Sequence, residues 1–165
     1  MSREEIIETF LRNAAKTNAE SVRVSSTEEM NEVLTRILRG RASVFCPGLT
    51  DKEKAVRIPE GARTDDFGRA DTCVEEVFGA VAETGSLICT SSGGKTVQAG
   101  LLPPHHVAIV DSANIFAGLE DFLTSWDGPF PTNITLEAGP SRTADIELTL
   151  TIGVHGPGRV DIIVL

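Results

Sequence analysis

The sequence predicts an α/β layer fold with parallel strand pairing, and three observations carry that prediction. Residues 1–46 alternate helix, strand, helix, strand, the order that a parallel sheet with helical crossovers produces. Further along, short β-branched runs are separated by glycines and prolines. The chain has 165 residues, 41% apolar and 24% charged, an ordinary globular balance that can bury a core without disulfide help.

Taken in order, Ser2 and Glu5 have the spacing of a capping box. Ile6, Ile7, Phe10, Leu11, Ala14 and Ala15 recur on one helical face, so an amphipathic helix opens the chain and runs to Lys16. Residues 21–25 (SVRVS) alternate and read as a strand. Ser26-x-x-Glu29 announces a second helix, whose Met30, Val33, Leu34, Ile37 and Leu38 form an apolar stripe stopped by Gly40. Ser43 to Cys46 is a buried-strand pattern ended by Pro47-Gly48. From Leu49 to Thr72 the chain is charged and aperiodic, a surface excursion with at most a short helix. Residues 73–91 break at glycines into two or three strands, and residues 107–110 supply another. Ile115, Phe116, Leu119, Phe122, Leu123 and Trp126 have helical spacing, which predicts a third helix closed by Gly128 and Pro129. Strands return at Ile134 with Leu136 and at residues 160–165. Segment 146–152 fits a strand by its alternation or a short helix by its Ser-x-Thr-x-Asp lead. With no repeat and no linker-like stretch, a single domain is expected over residues 1–165, with residues 1–18 as its N-terminal helix.

Charge narrows the function classes. Fifteen Lys plus Arg against 24 Asp plus Glu give a net charge of −9, a field that repels nucleic-acid backbones and anionic membranes. No apolar run approaches the roughly 20 residues that a bilayer-spanning helix needs, and residues 1–8 lack an export layout. The expectation is a cytoplasmic protein that neither inserts into membranes nor binds nucleic acid. Cys46, Cys73 and Cys89 are odd in number and scattered, so reduced, buried thiols are expected and no metal site. The Asn133-Ile134-Thr135 sequon carries no weight without an export signal.

Five segments hold candidate chemistry. Ser91 to Thr96 (SSGGKT) ends like a phosphate-cradling loop, but Cys89 stands where the opening glycine belongs; a glycine-rich turn with an exposed Lys95 is the plainer reading, its amides still able to line an anion pocket. Glu83 stands at a strand end before Gly85, an address that suits a nucleophile or base and equally a solvated turn. His105 and His106, led in by two prolines, point to opposite faces if a strand begins there, so at most one faces a given pocket and the other is expected to be exposed. Gly139 to Asp145 is the most concentrated polar segment: Arg142 offers a fork for a carboxylate or phosphate, Ser141 and Thr143 offer hydroxyls, and Asp145 orients the arginine or receives a substrate hydroxyl. An N-capped turn with a local ion pair fits the same residues. His155, in the tight corner Gly153 to Gly158, either shares that cleft or braces the turn.

Together AETGSLI (82–88), LLPPHHVAIV (101–110), GPSRTADIE (139–147) and GVHGP (153–157) resemble the LUD-domain proteins, specifically the lactate utilization protein C family, along essentially the whole chain. The resemblance implies a three-layer α/β/α fold with a mixed, mostly parallel sheet, similar to the sugar-phosphate isomerase and CoA-transferase class. It also implies a part in oxidising L-lactate to pyruvate, beside two partner subunits of which at least one carries iron–sulfur clusters. This chain would bind no cofactor itself, since cluster ligation usually takes four cysteines. By position the resemblance marks Glu83, Gly139, Ser141, Arg142, Thr143, Asp145 and His155, and makes His106 the histidine common to the family. Two departures stand out: His105-His106 occupies the place where Pro-Val-His or Pro-x-His is expected, and the arginine expected ahead of LLPP is missing from residues 96–100.

The leading expectation is an accessory or substrate-binding subunit of an iron–sulfur L-lactate oxidation system, holding a small carboxylate near Arg142. The alternative is a stand-alone enzyme acting on an acyl or sugar-phosphate-like anion, with Glu83 as nucleophile or base.

Overall fold

The computed structural model describes residues 1–143, 151–152 and 155–165. Helix α1 (Arg3–Lys16) begins at the capping box of Ser2 and Glu5, and α2 (Thr27–Ile37) begins at Ser26, whose hydroxyl accepts from the Glu29 N–H. Strands β1 (Glu20–Arg23), β2 (Val44–Phe45), β3 (Arg63–Thr64), β4 (Thr72–Glu76), β7 (His105–Val110) and β12 (Arg159–Val164) form the main sheet. Their order is β1-β12-β7-β4-β2-β3 and every pairing is parallel. β7 is buried along its whole length and β12 along all but its first residue, which is why both read as apolar runs in the sequence.

A smaller sheet holds β5 (Gly79–Val81), β6 (Ser86–Thr90), β8 (Ile115–Phe116) and β9 (Ile134–Glu137), in the order β8-β5-β6-β9. Short helices α3 (Asp51–Lys54), α4 (Gln98–Leu101) and α5 (Leu119–Ser125) fill the connections, and β10 (Arg142–Thr143) pairs antiparallel with β11 (Thr151–Ile152).

The main sheet separates two cores. On one face Met30, Val33 and Leu34 of α2, with Leu38 just after it, pack on Val44, Val74, Val107, Ile109 and Ile163. On the other, Ile7, Phe10 and Ala14 of α1 and Ala80, Leu87, Cys89 and Ile115 of the smaller sheet pack on Ala108, Val110, Val160 and Ile162. The predicted mostly parallel sheet is present, and its second face is covered jointly by a helix and a sheet. The smaller sheet's outer side buries Val81, Ile88 and Phe122 beneath Phe78, Phe116 and Trp126.

One predicted helix is shorter than expected. Ile115 and Phe116 are strand, because their backbone pairs with Ala80 and Val81 of β5, a contact across the chain that overrides helical spacing. The helix starts only after Gly118, whose N–H donates to Asp121. The ambiguity over 146–152 is settled for Thr151 and Ile152, which are strand; 146–150 lie outside the described residues.

Candidate functional site

After β9 the chain turns sharply at Gly139, which adopts φ +69°. A Cβ there would sit 2.3 Å from the Thr17 carbonyl oxygen at the end of α1, so only glycine lets this turn lie against that helix. Ser141 N–H then donates to the Pro157 carbonyl at 2.8 Å, and His155 N–H donates to the Ser141 hydroxyl at 3.3 Å. These bonds hold the 139–142 turn against the 155–157 corner. Between them and the end of α1 lies a recess of about 590 Å³, lined among others by Lys16, Thr17, Leu101, Glu137, Gly139, Ser141, Arg142 and His155. It lies near the amino ends of β7 and β12, where the Gly158 N–H donates to the Pro104 carbonyl.

Arg142 is exposed at this recess and donates through Nη2 to the Thr17 carbonyl at 3.3 Å. Among the described residues it makes no ion pair, so its fork keeps donors for an anion. Four of the sequence candidates, Gly139, Ser141, Arg142 and His155, thus meet at one place. Thr143 follows in β10, and Asp145 lies outside the described residues.

Behind the recess stands a buried row of charges. Glu137 Oε2 is 2.7 Å from His106 Nδ1, and His106 Nε2 is 3.3 Å from Glu75 Oε1 on β4. All three side chains are almost wholly buried. Burial alone would drive His106 neutral, but the charge and hydrogen bond of Glu137, with help from Glu75, outweigh it and raise its pKa to about 10. His106 is therefore an imidazolium between two carboxylates. Two atoms of the row, Glu137 Oε1 and His106 Nε2, have no hydrogen-bond partner, so the row is not saturated. Gly100 makes room for it: a Cβ there would stand 2.4 Å from Glu75 Oε1 and 2.9 Å from His106 Nε2.

His105 points to the opposite face, as strand alternation requires, but it too is buried, contrary to the expected exposed histidine. Its Nε2 lies 2.5 Å from Asp161 Oδ2, which also accepts from Arg159 Nε at 2.8 Å. Burial would raise the Asp161 pKa, but these two partners hold it below the usual carboxylate value.

Glu83 is not part of the recess. Its exposed carboxylate accepts from the Leu119 N–H at 2.9 Å, capping the first turn of α5. Glu83→Gln is expected to cost about 1 kcal/mol or less and to leave ligand binding in the recess unchanged, which a urea titration and a calorimetric titration check together. Lys95, expected to be exposed, is held by a buried carboxylate at the opposite end of the sheet.

Sequence reasoning passed over Glu75 and Glu137. The signal was present: each is an acidic residue inside or ending an apolar strand, and a charge that is buried needs a partner. The partner, His106, is remote in sequence from both. Cys46, Cys73 and Cys89 are free and buried; burial, the largest influence on each, pushes their thiol pKa values up, to about 11 for Cys46.

The arrangement can bind a small anion by Arg142, with hydroxyl and imidazole groups beside it and a charged row behind. Known proteins are similar to this chain. The chain is similar to an uncharacterized protein of Neisseria meningitidis, with 34% identity over 58% of this chain and 42% of that protein. It is similar to lactate utilization protein C of Shouchella clausii, at 34% over 71% of this chain and 51% of the relative, and to lactate utilization protein C 1 of Bacillus mycoides, at 28% over 99% and 70%. The chain spans about half the length of the first two of these relatives. A crystal structure of a DUF162 family protein from Deinococcus radiodurans shares the fold, with TM-score 0.70, 22% identity and coverage of 99% of this chain and 98% of that one. The LUD domain profile matches residues 51–165, which include every strand of the smaller sheet and the whole recess apart from the end of α1. The chain belongs to the LUD-domain family.

Proposed function

We propose that this protein serves lactate utilization as a subunit that holds a small carboxylate in the recess beside Arg142. The observation that carries this reading is the convergence of Gly139, Ser141, Arg142 and His155 on one recess, with the arginine free of any acidic partner among the described residues. The names of the relatives supply the pathway. A planar guanidinium with open donors suits a carboxylate, and the neighbouring Ser141 and His155 suit a hydroxyl on the next carbon. Thr143 and Asp145, adjoining in the sequence, belong to the same proposed site.

Electrons taken from lactate would pass to iron–sulfur partner subunits. Three separate buried thiols on this chain are a poor set for ligating a cluster, which normally takes four. Two measurements test the reading. Calorimetric titration of the purified chain with L-lactate is expected to show binding that Arg142→Ala abolishes, while its folding stability stays within about 0.5 kcal/mol of the parent because the side chain is exposed. Affinity capture from cells grown on lactate is expected to bring down cluster-bearing proteins whose mixture reduces a dye when lactate is added. Binding that survives Arg142→Ala would overturn the site, and capture without cluster proteins would overturn the assembly.

A further inference from the structure

A second cleft opens at the other end of the parallel sheet. β2 continues into α3 and on to Val56 and Ala62, which pack on the α2 face, whereas β4 continues into β5 on the opposite face. Adjacent strands whose connections leave over opposite faces create a crevice at their carboxyl ends, the place where open α/β sheets bind ligands. Here that crevice is a cleft of about 220 Å³, with Thr50, Glu76, Thr90, Ser92, Lys95 and Asn114 as polar lining and Val77 and Phe78 as apolar lining.

Lys95 is fixed from behind. Its Nζ lies 2.5 Å from Glu53 Oε1 and also donates to the Glu76 carbonyl. Glu53 is 0% exposed, and its carboxylate further accepts from the backbone N–H groups of Leu49, Thr50 and Glu76. One buried acid thus ties both banks of the crevice together and aligns the ammonium. Buried ion pairs add little net stability compared with apolar packing, so a pair retained at a cleft points to a use for the charge.

A count of protons identifies what the cleft can hold. An ammonium has three N–H groups; Glu53 and the Glu76 carbonyl take two, leaving one. Thr90 and Ser92 hydroxyls lie 2.5 Å apart, so one donates to the other and a single hydroxyl proton remains. The Lys95 N–H and the proton left on the Thr90–Ser92 pair suit the two oxygens of one carboxylate, and the Thr50 hydroxyl, which accepts from the Glu53 N–H, keeps its own proton beside them. Lys52 binds the Glu76 carboxylate at 2.7 Å and Asp111 at 2.9 Å, which offsets one of these two negative charges. Gly93 also lines the cleft, with no atom within 4 Å of where its Cβ would stand, so backbone there is open to close approach. We propose that this cleft is a second ligand site, which takes a short-chain monocarboxylic acid with its carboxylate on Lys95 and the Thr90–Ser92 pair and its aliphatic end on Val77 and Phe78.

The site is independent of the Arg142 recess, and its test separates the two. Sodium propionate is titrated into ¹⁵N-labelled Arg142→Ala protein, whose first recess is disabled. The expected result is saturable movement of the amide signals of residues 92–95, with affinity weakened about tenfold or more in Lys95→Met. Because Lys95→Met strips Glu53 of its cation and can unfold the chain, a Thr90→Val/Ser92→Ala double variant, which keeps that ion pair, is measured beside it and is expected to weaken binding severalfold. Amide signals that do not move with propionate, or movement that persists undiminished in the double variant, would overturn the proposal.

Discussion

His106→Leu is expected to lose about 3–5 kcal/mol of folding stability, because it strands Glu75 and Glu137 as two buried carboxylates without a cation. The loss should depend on pH in a definite direction. Folding raises the His106 pKa from 6.5 to about 10, so the folded protein holds a proton that the unfolded chain gives up earlier. The stabilisation is complete below pH 6.5, declines by up to about 1.4 kcal/mol per pH unit above it, and is gone once pH passes 10. The stability gap between parent and variant should therefore be widest near pH 6 and close toward pH 10. Urea titrations across that range measure it, and a gap that is absent or constant would disprove the charged state assigned to His106.

Gly85→Ala is expected to cost about 2–4 kcal/mol, combining a left-handed backbone penalty with overpacking. Gly85 has φ +70°, and its Cβ would stand 2.4 Å from both Ala14 N and Asn13 C of α1. The obstacle is helix backbone, which cannot step aside as a side chain can. Asn13 Nδ2 also donates to the Ala82 carbonyl at 2.8 Å, so this corner is where α1 is fastened to the smaller sheet. Amide exchange in α1 should quicken in the variant. Gly48→Ala is the control: its φ is +66° but nothing lies within 4 Å, so only the backbone penalty of about 1 kcal/mol is expected. Equal losses at the two positions would show that α1 does not depend on this contact.

What could be read from the sequence follows the range of the interaction. α1 and α2 were legible because their caps and apolar stripes are local: Ser2 with Glu5, and Ser26 with Glu29. The 139–142 turn was legible because glycine, proline and arginine announce themselves within a few residues, and the structure places them on one recess. Ile115 and Phe116 were misread because their partner strand lies 35 residues back, at Ala80 and Val81. Lys95 was expected in solvent because nothing near it in the chain reveals Glu53. The capping of α5 by Glu83 was not legible, since the helix N-terminus it caps comes from far along the sequence. Glu137 and Glu75 needed His106, which only the pairing of β4 with β7 brings alongside.

The place of β12 in the main sheet has a consequence for how the protein comes to be folded. β12 lies between β1 and β7, with Glu20 opposite Asp161, so β1 has its neighbour only after every other strand of the main sheet has been synthesised. Until then β1 has a bare flank and the buried β7 an unfilled side, both with unpaired backbone groups able to capture the wrong strand. Such distant pairing slows folding and leaves these surfaces vulnerable to association while translation proceeds. A ribosome-stalled chain ending before Arg159 should accordingly bind chaperone or aggregate, and a stalled chain in which β12 has emerged should not.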